Sequence, residues 1–273
     1  MREIRPGDDT TLGFIHLTDS HLLDGRDDTL KGFNTLDSFS ATLDESLRCH
    51  PEADFILLTG DISQHGSRES YQLLEAVLNK YKLPVYAVPG NHDTPHLLSQ
   101  VIPSTPAADL NIIKLGNVSL VLINSQVSGE HSGNVGPEQL RQLDTHLANS
   151  NSELDIIAIH HPPVSINSEW LDELGLRNRN KLMDILGSHT GNTMLLCGHI
   201  HQELDQQVGN VRIMATPSTC FQFAPGSIRV ELDDKSGPAY RYIELNTHYQ
   251  VQTEVRYIKW REDFSFRHKI QNS

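Results

Sequence analysis

Five short apolar runs, each broken off by a polar cluster, constrain the fold of this chain more than any other feature. The runs are Phe14 to Leu17, Phe55 to Thr59, Val85 to Val88, Ile156 to Ile159 and Met194 to Cys197. Bounded by turn residues and too short for buried helices, they read as buried strands. Between them lie helical spacings: Leu36, Phe39, Leu43 and Leu47; Tyr71, Leu74, Leu78 and Tyr81; and Leu140, Leu143 and Leu147 after Pro137. Such spacings, with Pro at a helix start, predict amphipathic helices. Strands that alternate with helices predict βαβ units and an α/β fold.

Other segments have a different texture. Ile112 to Asn124 around Gly116-Asn117, and Leu204 to Ala215 around Gly209-Asn210, read as hairpins. A further strand pair is expected at Ile228 to Leu232 and Tyr240 to Leu245, followed by a strand from Val251 to Ile258. These predict antiparallel additions to the sheets. With no repeat and no linker rich in Pro, Gly or Ser, the chain reads as one domain over 1–273, with a loosely held tail from about 259.

The residues just past each strand carry the chemistry. The successive clusters are Asp19-Ser20-His21, Gly60-Asp61, Gly90-Asn91-His92-Asp93, His160-His161-Pro162-Pro163 and Gly198-His199-Ile200-His201. Taken alone, each has an ordinary reading: a capping Asp, an Asx turn, a buried histidine, alternating side chains at a strand end. Loops beyond the carboxyl ends of parallel strands converge on one edge of a sheet, so the five clusters can meet. Asp, His and Asn then offer oxygen and imidazole ligands suited to Fe, Mn or Zn, without the thiolates of a structural zinc site. His50, His65, His96, His131, His146, His189, His248 and His268 lie outside the clusters and read as surface or packing residues.

Composition narrows the partners. With 22 basic and 35 acidic residues the formal charge is -13, which disfavours nucleic acid but allows a small anion wherever metal ions supply positive charge. No segment approaches the roughly 20 apolar residues that cross a bilayer, and no membrane partner is expected. Three cysteines, Cys49, Cys197 and Cys220, do not resemble a disulfide framework and fit a reducing, cytoplasmic setting.

In this order the clusters resemble the calcineurin-like metallophosphoesterase superfamily, whose pattern runs D-x-H, G-D, G-N-H-D or G-N-H-E, a later His, and G-H-x-H. The match spans Ile15 to His201, about two thirds of the chain. His-His-Pro-Pro, Asn34-Thr35, the run from Ala215 to Cys220 and Thr253-Glu254-Val255 are most similar to the bacterial cyclic nucleotide phosphodiesterases. The resemblance implies a four-layer α/β/β/α sandwich and two metal ions, Fe or Mn with Zn as the alternative. One is held by Asp19, His21, Asp61 and His201, the other by Asp61, Asn91, His160 and His199. It further implies hydrolysis of 3′,5′-cyclic AMP to 5′-AMP by direct attack of a metal-bridging hydroxide. His160 rather than His161 is the implied ligand from the family's His-x-Pro spacing.

His92, not a ligand in that family, is free to stabilise charge or protonate the leaving oxygen, and Asp93 either orients it or is a turn residue. Asn91, His92 and His21 are also candidates for substrate contact. The polar segment from Ser165 to Asn180 carries Trp170, Arg177 and Arg179, which could hold phosphate or base, or form a surface loop before a helix near Leu182 to Leu186. Two other functions share the fold: hydrolysis of the pyrophosphate in ADP-ribose-like nucleotides, and a non-catalytic scaffold, against which the intact ligand set argues. Oligomeric state is not legible.

Overall fold

The structure, a computed structural model, describes residues 12–259. The first half of the chain supplies β1 (Leu12–Leu17), β2 (Thr29–Leu30), β3 (Phe33–Asn34), α1 (Thr35–Cys49), β4 (Phe55–Leu58), α2 (Arg68–Leu78), β5 (Val85–Ala87) and α3 (Pro95–Val101). Then come β6 (Asn111–Leu115), β7 (Val118–Leu122), α4 (Pro137–Asn149), β8 (Leu154–Ala158), α5 (Glu169–Glu173), α6 (Arg179–Ser188) and β9 (Thr193–Cys197). The chain continues through β10 (Leu204–Val208), β11 (Val211–Ala215), β12 (Gln222–Phe223), β13 (Leu232–Asp233), β14 (Ala239–Leu245) and β15 (Val251–Tyr257).

Two large sheets form, in the orders β15-β14-β1-β4-β5 and β10-β11-β9-β8-β7-β6, beside the two-stranded pairs β2-β3 and β12-β13. Alternation of side chains along each strand sorts the residues into layers. Ile15, Leu17, Ile56 and Leu58 point outward and pack with Leu36, Phe39 and Leu43 of α1 and Tyr71 and Leu74 of α2. Phe14, Phe55 and Leu57 point inward against Leu120, Ile156 and Leu196 of the second sheet. The outer face of that sheet, with Val121, Ile157 and Leu195, is covered by Leu140 and Leu143 of α4 and by Leu182 and Leu186 of α6. The result is the α/β/β/α sandwich, with three apolar layers each drawn from one side-chain parity.

The expected hairpins form as β6-β7 and β10-β11, antiparallel across Gly116-Asn117 and Gly209-Asn210. The expected partner strand from Ile228 to Leu232 does not. Tyr240 to Leu245 lies in β14, whose two edges are taken by β1 and β15, so no place is left for it. Only Leu232–Asp233 is extended, paired with Gln222–Phe223, and Ile228 and Val230 remain 70% and 63% exposed. The segment from Ser165 to Asn180 is not a plain loop but contains α5. The tail expected from about 259 lies almost wholly outside the described residues. Among the described residues no helix is long and apolar enough to cross a membrane.

The layer between the sheets becomes polar towards one end. His16 bridges the Thr59 and Thr216 hydroxyls, 2.7 Å from each, and burial, with the charge of Arg241, pushes its imidazole down to about 3. Arg241, 1% exposed, donates to the Leu204 and Ala215 carbonyls and to the Thr216 and Thr253 hydroxyls. This satisfied network joins both sheets beneath the loops that follow β1, β4, β9 and β11.

Candidate metal centre

Eight described residues other than glycine have a left-handed backbone, and five of them belong to the strand-end clusters. They are Asp19 (φ 53°), His21 (46°), Asp61 (46°), His199 (71°) and His201 (50°). Each costs about 1 kcal/mol or more and persists only where its surroundings enforce it, a pattern concentrated at functional sites. The backbone turns sharply after each strand and so presents its side chains across the gap between the sheets.

Glycine makes the crowding tolerable. At Gly60 (φ 94°) a Cβ would stand 2.6 Å from both the Gly90 nitrogen and His160 Nδ1. At Gly198 it would collide with the Thr18 hydroxyl and Asp19 Oδ2. Loops from different sheets therefore touch backbone to side chain, the His199 N–H donating to Asp19 Oδ2 (2.9 Å), and within the second sheet the Gly198 N–H donates to the His160 carbonyl (3.1 Å).

The expected ligands converge. Ligand atoms of Asp19, His21 and His201 lie within 4.8 Å of one another, as do those of Asp19, Asp61 and His160. His201 Nε2 stands 3.4 Å from Asp19 Oδ1 and 3.2 Å from His21 Nε2. His160 Nε2 stands 3.4 Å from Asp61 Oδ2 and 3.2 Å from Asn91 Oδ1, while His21 Nε2 is 4.0 Å from the same Asp61 oxygen. Asp61 thus lies between the two sets. Two ligand atoms each about 2 Å from one ion stand a little over 3 Å apart, as several of these pairs do.

Hydrogen bonds on the far side of the rings favour metal binding. The His160 ring donates from Nδ1 to the Thr59 carbonyl and the His201 ring from Nδ1 to the Phe221 carbonyl, 2.7 Å each, which leaves both Nε2 lone pairs facing the centre. Asp19 Oδ1 and His199 Nε2 are buried and have no hydrogen-bond partner. Buried polar atoms of this kind require an explanation, and a cation bound among them accounts for both. His161 differs: its two nitrogens meet the Ser125 hydroxyl (2.8 Å) and the His131 carbonyl (3.0 Å). His161 groups with His160 and His199, whereas His160 alone of the two adjacent histidines also groups with Asp19 and Asp61.

The electrostatics show how strongly these groups depend on one another. Burial would raise Asp61, yet the neighbouring His160 and His21 outweigh it and hold the carboxyl well below the usual range. Burial likewise opposes the charged form of His160, but Asp61 lifts the imidazolium to about 9. His21, where burial dominates, falls to about 4, and burial with His161 and His160 pushes His199 well below its ordinary value. Two carboxylates amid four imidazoles form a cation-seeking centre.

An open cavity of about 250 Å³ lies over the centre, near the lower end of the range for small-molecule sites. His21, Asp61, Asn91, His92 and His199 are among the residues that line it. His92 is held twice: its N–H donates to Asp61 Oδ1 (2.9 Å) and its ring meets the Gln64 carbonyl through Nδ1 (3.0 Å), which leaves Nε2 for the cavity. Asp93 has no hydrogen bond to the His92 ring, so it does not orient it. Its carboxylate accepts from the Ile62, Ser63 and Gly90 N–H groups and the Tyr71 hydroxyl, tying the Asp61 loop to the Asn91 loop. Burial and the charge of Asp61 push that carboxyl up to about 6.

Arg177 and Arg179 are not brought to the cavity. Both are exposed, and the Arg177 guanidinium pairs with Glu130. His131, read from sequence as a surface or packing residue, does line the cavity, 3.4 Å through Nδ1 from the Asn91 amide. Leu30, Lys31, Trp170, Leu171, Leu174, Phe221 and Phe223 complete the wall. Of these only Trp170 and the stretch containing Phe221 and Phe223 stand out in sequence, as aromatic residues in otherwise polar segments.

Comparison with known proteins adds to this geometry. Residues 12–203 match the family described as calcineurin-like phosphoesterase. A 3′,5′-cyclic adenosine monophosphate phosphodiesterase, CpdA of Pseudomonas aeruginosa, is 35% identical over 252 residues, covering 92% of this chain and 91% of its own. A 3′,5′-cyclic-nucleotide phosphodiesterase of a Nostoc species is 33% identical over 234 residues, with 86% and 88% covered. Among solved structures, a dimetal phosphatase from Danio rerio superposes with a TM-score of 0.65 at 16% identity, covering 89% of this chain and 98% of that one. That likeness speaks for the fold alone.

Proposed function

We propose, from the premise that the chain belongs to the calcineurin-like phosphoesterase family, that it is a metal-dependent phosphodiesterase that hydrolyses 3′,5′-cyclic AMP to 5′-AMP. The convergence of Asp19, His21, Asp61, Asn91, His160, His199 and His201 on one centre supports the metal dependence. The activity named for relatives at 33–35% identity over most of the chain supports the substrate.

In this reading Asp19, His21, Asp61 and His201 hold one cation and Asp61, Asn91, His160 and His199 the other, with Asp61 shared. Fe, Mn and Zn all suit such oxygen and imidazole donors. Two bound cations would supply Lewis acidity to the phosphate oxygens and water of lowered pKa. The chain's own residues do the rest. Asn91 and His92, which line the cavity, would meet a phosphate bound there. As water attacks phosphorus, losing a proton to solvent, and the bond to O3′ breaks, His92 Nε2 donates the proton that O3′ requires and regains one from solvent, while the Gln64 carbonyl keeps Nδ1 protonated throughout. The 5′ ester stays intact, so 5′-AMP leaves. The three cysteines are free, which suits a cytoplasmic enzyme.

Steady-state kinetics on metal-reconstituted protein test the substrate. Cyclic AMP should give 5′-AMP with a kcat/KM at least roughly tenfold above that for ADP-ribose, because only the diester places a sugar oxygen as the leaving group beside His92. Preference for ADP-ribose, with cyclic AMP barely turned over, would overturn the assignment.

A further inference from the structure

The cavity is lined by residues of two kinds. Gln64, Asn91, His92 and His131 are polar, whereas Leu30, Trp170, Leu171, Leu174, Phe221 and Phe223 are aliphatic or aromatic, and Leu30, Trp170, Phe221 and Phe223 are joined by mutual contacts. The apolar set begins at the metal ligands themselves: the Phe221 ring lies 5.7 Å from that of His21 and 4.9 Å from that of His201, and the Phe223 ring 4.5 Å from His201. It continues to Trp170, edge-on to Phe223 at 4.8 Å. A cyclic nucleotide whose phosphate lies over the centre carries its base one ribose away from it, and Leu30, Trp170, Phe221 and Phe223 are the apolar residues that line the same cavity.

We infer that Leu30, Trp170, Phe221 and Phe223 form a lip that grips a purine by stacking and apolar contact without reading its hydrogen-bonding edge, so that cyclic AMP and cyclic GMP are both substrates. The inference rests on the proposed cyclic nucleotide activity and adds to it the means of base recognition. The indole N–H, the one polar atom of the lip, already donates to the Ser227 hydroxyl (3.1 Å). Ser227 is itself held, since the Ser168 hydroxyl donates to its carbonyl (2.8 Å). Trp170 is thereby fixed as a surface for the base and has no donor left for it. Lys31, exposed on the turn between β2 and β3 and next in sequence to Leu30, also lines the cavity. Its ammonium can donate to purine N7, which adenine and guanine share.

A site with fixed partners for a base edge rejects a base that lacks them by about 10⁴-fold or more, whereas an apolar pocket discriminates only about tenfold to a few hundredfold. The wild-type kcat/KM values for cyclic AMP and cyclic GMP should therefore lie within about a hundredfold of each other. Loss of a stacking ring typically weakens base binding about tenfold to a hundredfold.

The experiment compares cyclic AMP, cyclic GMP and methyl 4-nitrophenyl phosphate, a diester without a base, on wild type, Trp170→Ala, Trp170→Phe and Phe223→Leu. Trp170→Ala should raise KM for both cyclic nucleotides in parallel, and lower the ratio of their kcat/KM to that of the methyl diester by about tenfold or more. Trp170→Phe should recover most of that ratio. Phe223→Leu, which keeps an apolar side chain, should shift it the same way and serves if Trp170→Ala does not fold. A wild-type preference for one purine beyond about a hundredfold, or an equal loss on all three substrates, overturns the lip. Turnover of the methyl diester with neither cyclic nucleotide hydrolysed defeats the substrate reading itself.

Discussion

Asp61→Ala is expected to lose both metal ions and to lower phosphodiester hydrolysis by roughly a thousandfold or more. Asp61 stands between the two ligand sets, 3.4 Å from His160 Nε2 and 4.0 Å from His21 Nε2 through the same oxygen. Its removal takes away one of only two carboxylates at the centre and leaves Asp19 as the one anionic side chain among the buried imidazoles to balance two cations. Metal catalysis contributes several kcal/mol of transition-state stabilisation, and each 1.36 kcal/mol is a factor of ten. Metal content measured on the purified variant, beside its turnover, checks this. A variant that keeps two tightly held ions would show that Asp61 is not shared between them.

His92→Ala should separate chemistry from metal binding, with near-normal metal content and a turnover of cyclic AMP lower by roughly a hundredfold. The bond from this residue to Asp61 comes from its backbone N–H and survives the substitution, so the ligand loop keeps its anchor. The loss should depend on the leaving group. An alkoxide such as O3′ needs a proton as it departs, whereas 4-nitrophenolate does not, so an aryl diester should be affected much less. Equal losses on both substrates would assign His92 to phosphate binding rather than to proton donation.

Residues differ in how much of their structural role they carry in sequence. The five strand ends were readable because apolar runs and their Gly, Asp and His terminators are contiguous, and the structure brings their side chains to one place. The hairpin turns at Gly116-Asn117 and Gly209-Asn210 carried equally local signals. Pairing was not local: β14 is claimed by β1 on one edge and β15 on the other, which no pattern between 228 and 245 reveals.

The site showed the same division. Asp93 follows His92 directly, and proximity in sequence suggested a shared role, but its carboxylate turns to the 62–63 backbone instead. Arg177 carried the right charge for a phosphate, yet its partner is Glu130 on another loop. His131 and Leu30 reach the cavity from loops whose placement only the assembled sandwich determines. The left-handed backbone of five cluster residues likewise has no signature in residue type beyond the tolerance of Asp and His for it.

Elemental analysis of the metal-reconstituted protein, with cyclic AMP turnover followed as metal is added back to the chelated form, tests the central claim most directly. The account predicts two ions per chain, no turnover after chelation, and recovery that is complete only when the second equivalent has bound. Full activity with one ion, or with none, would contradict it.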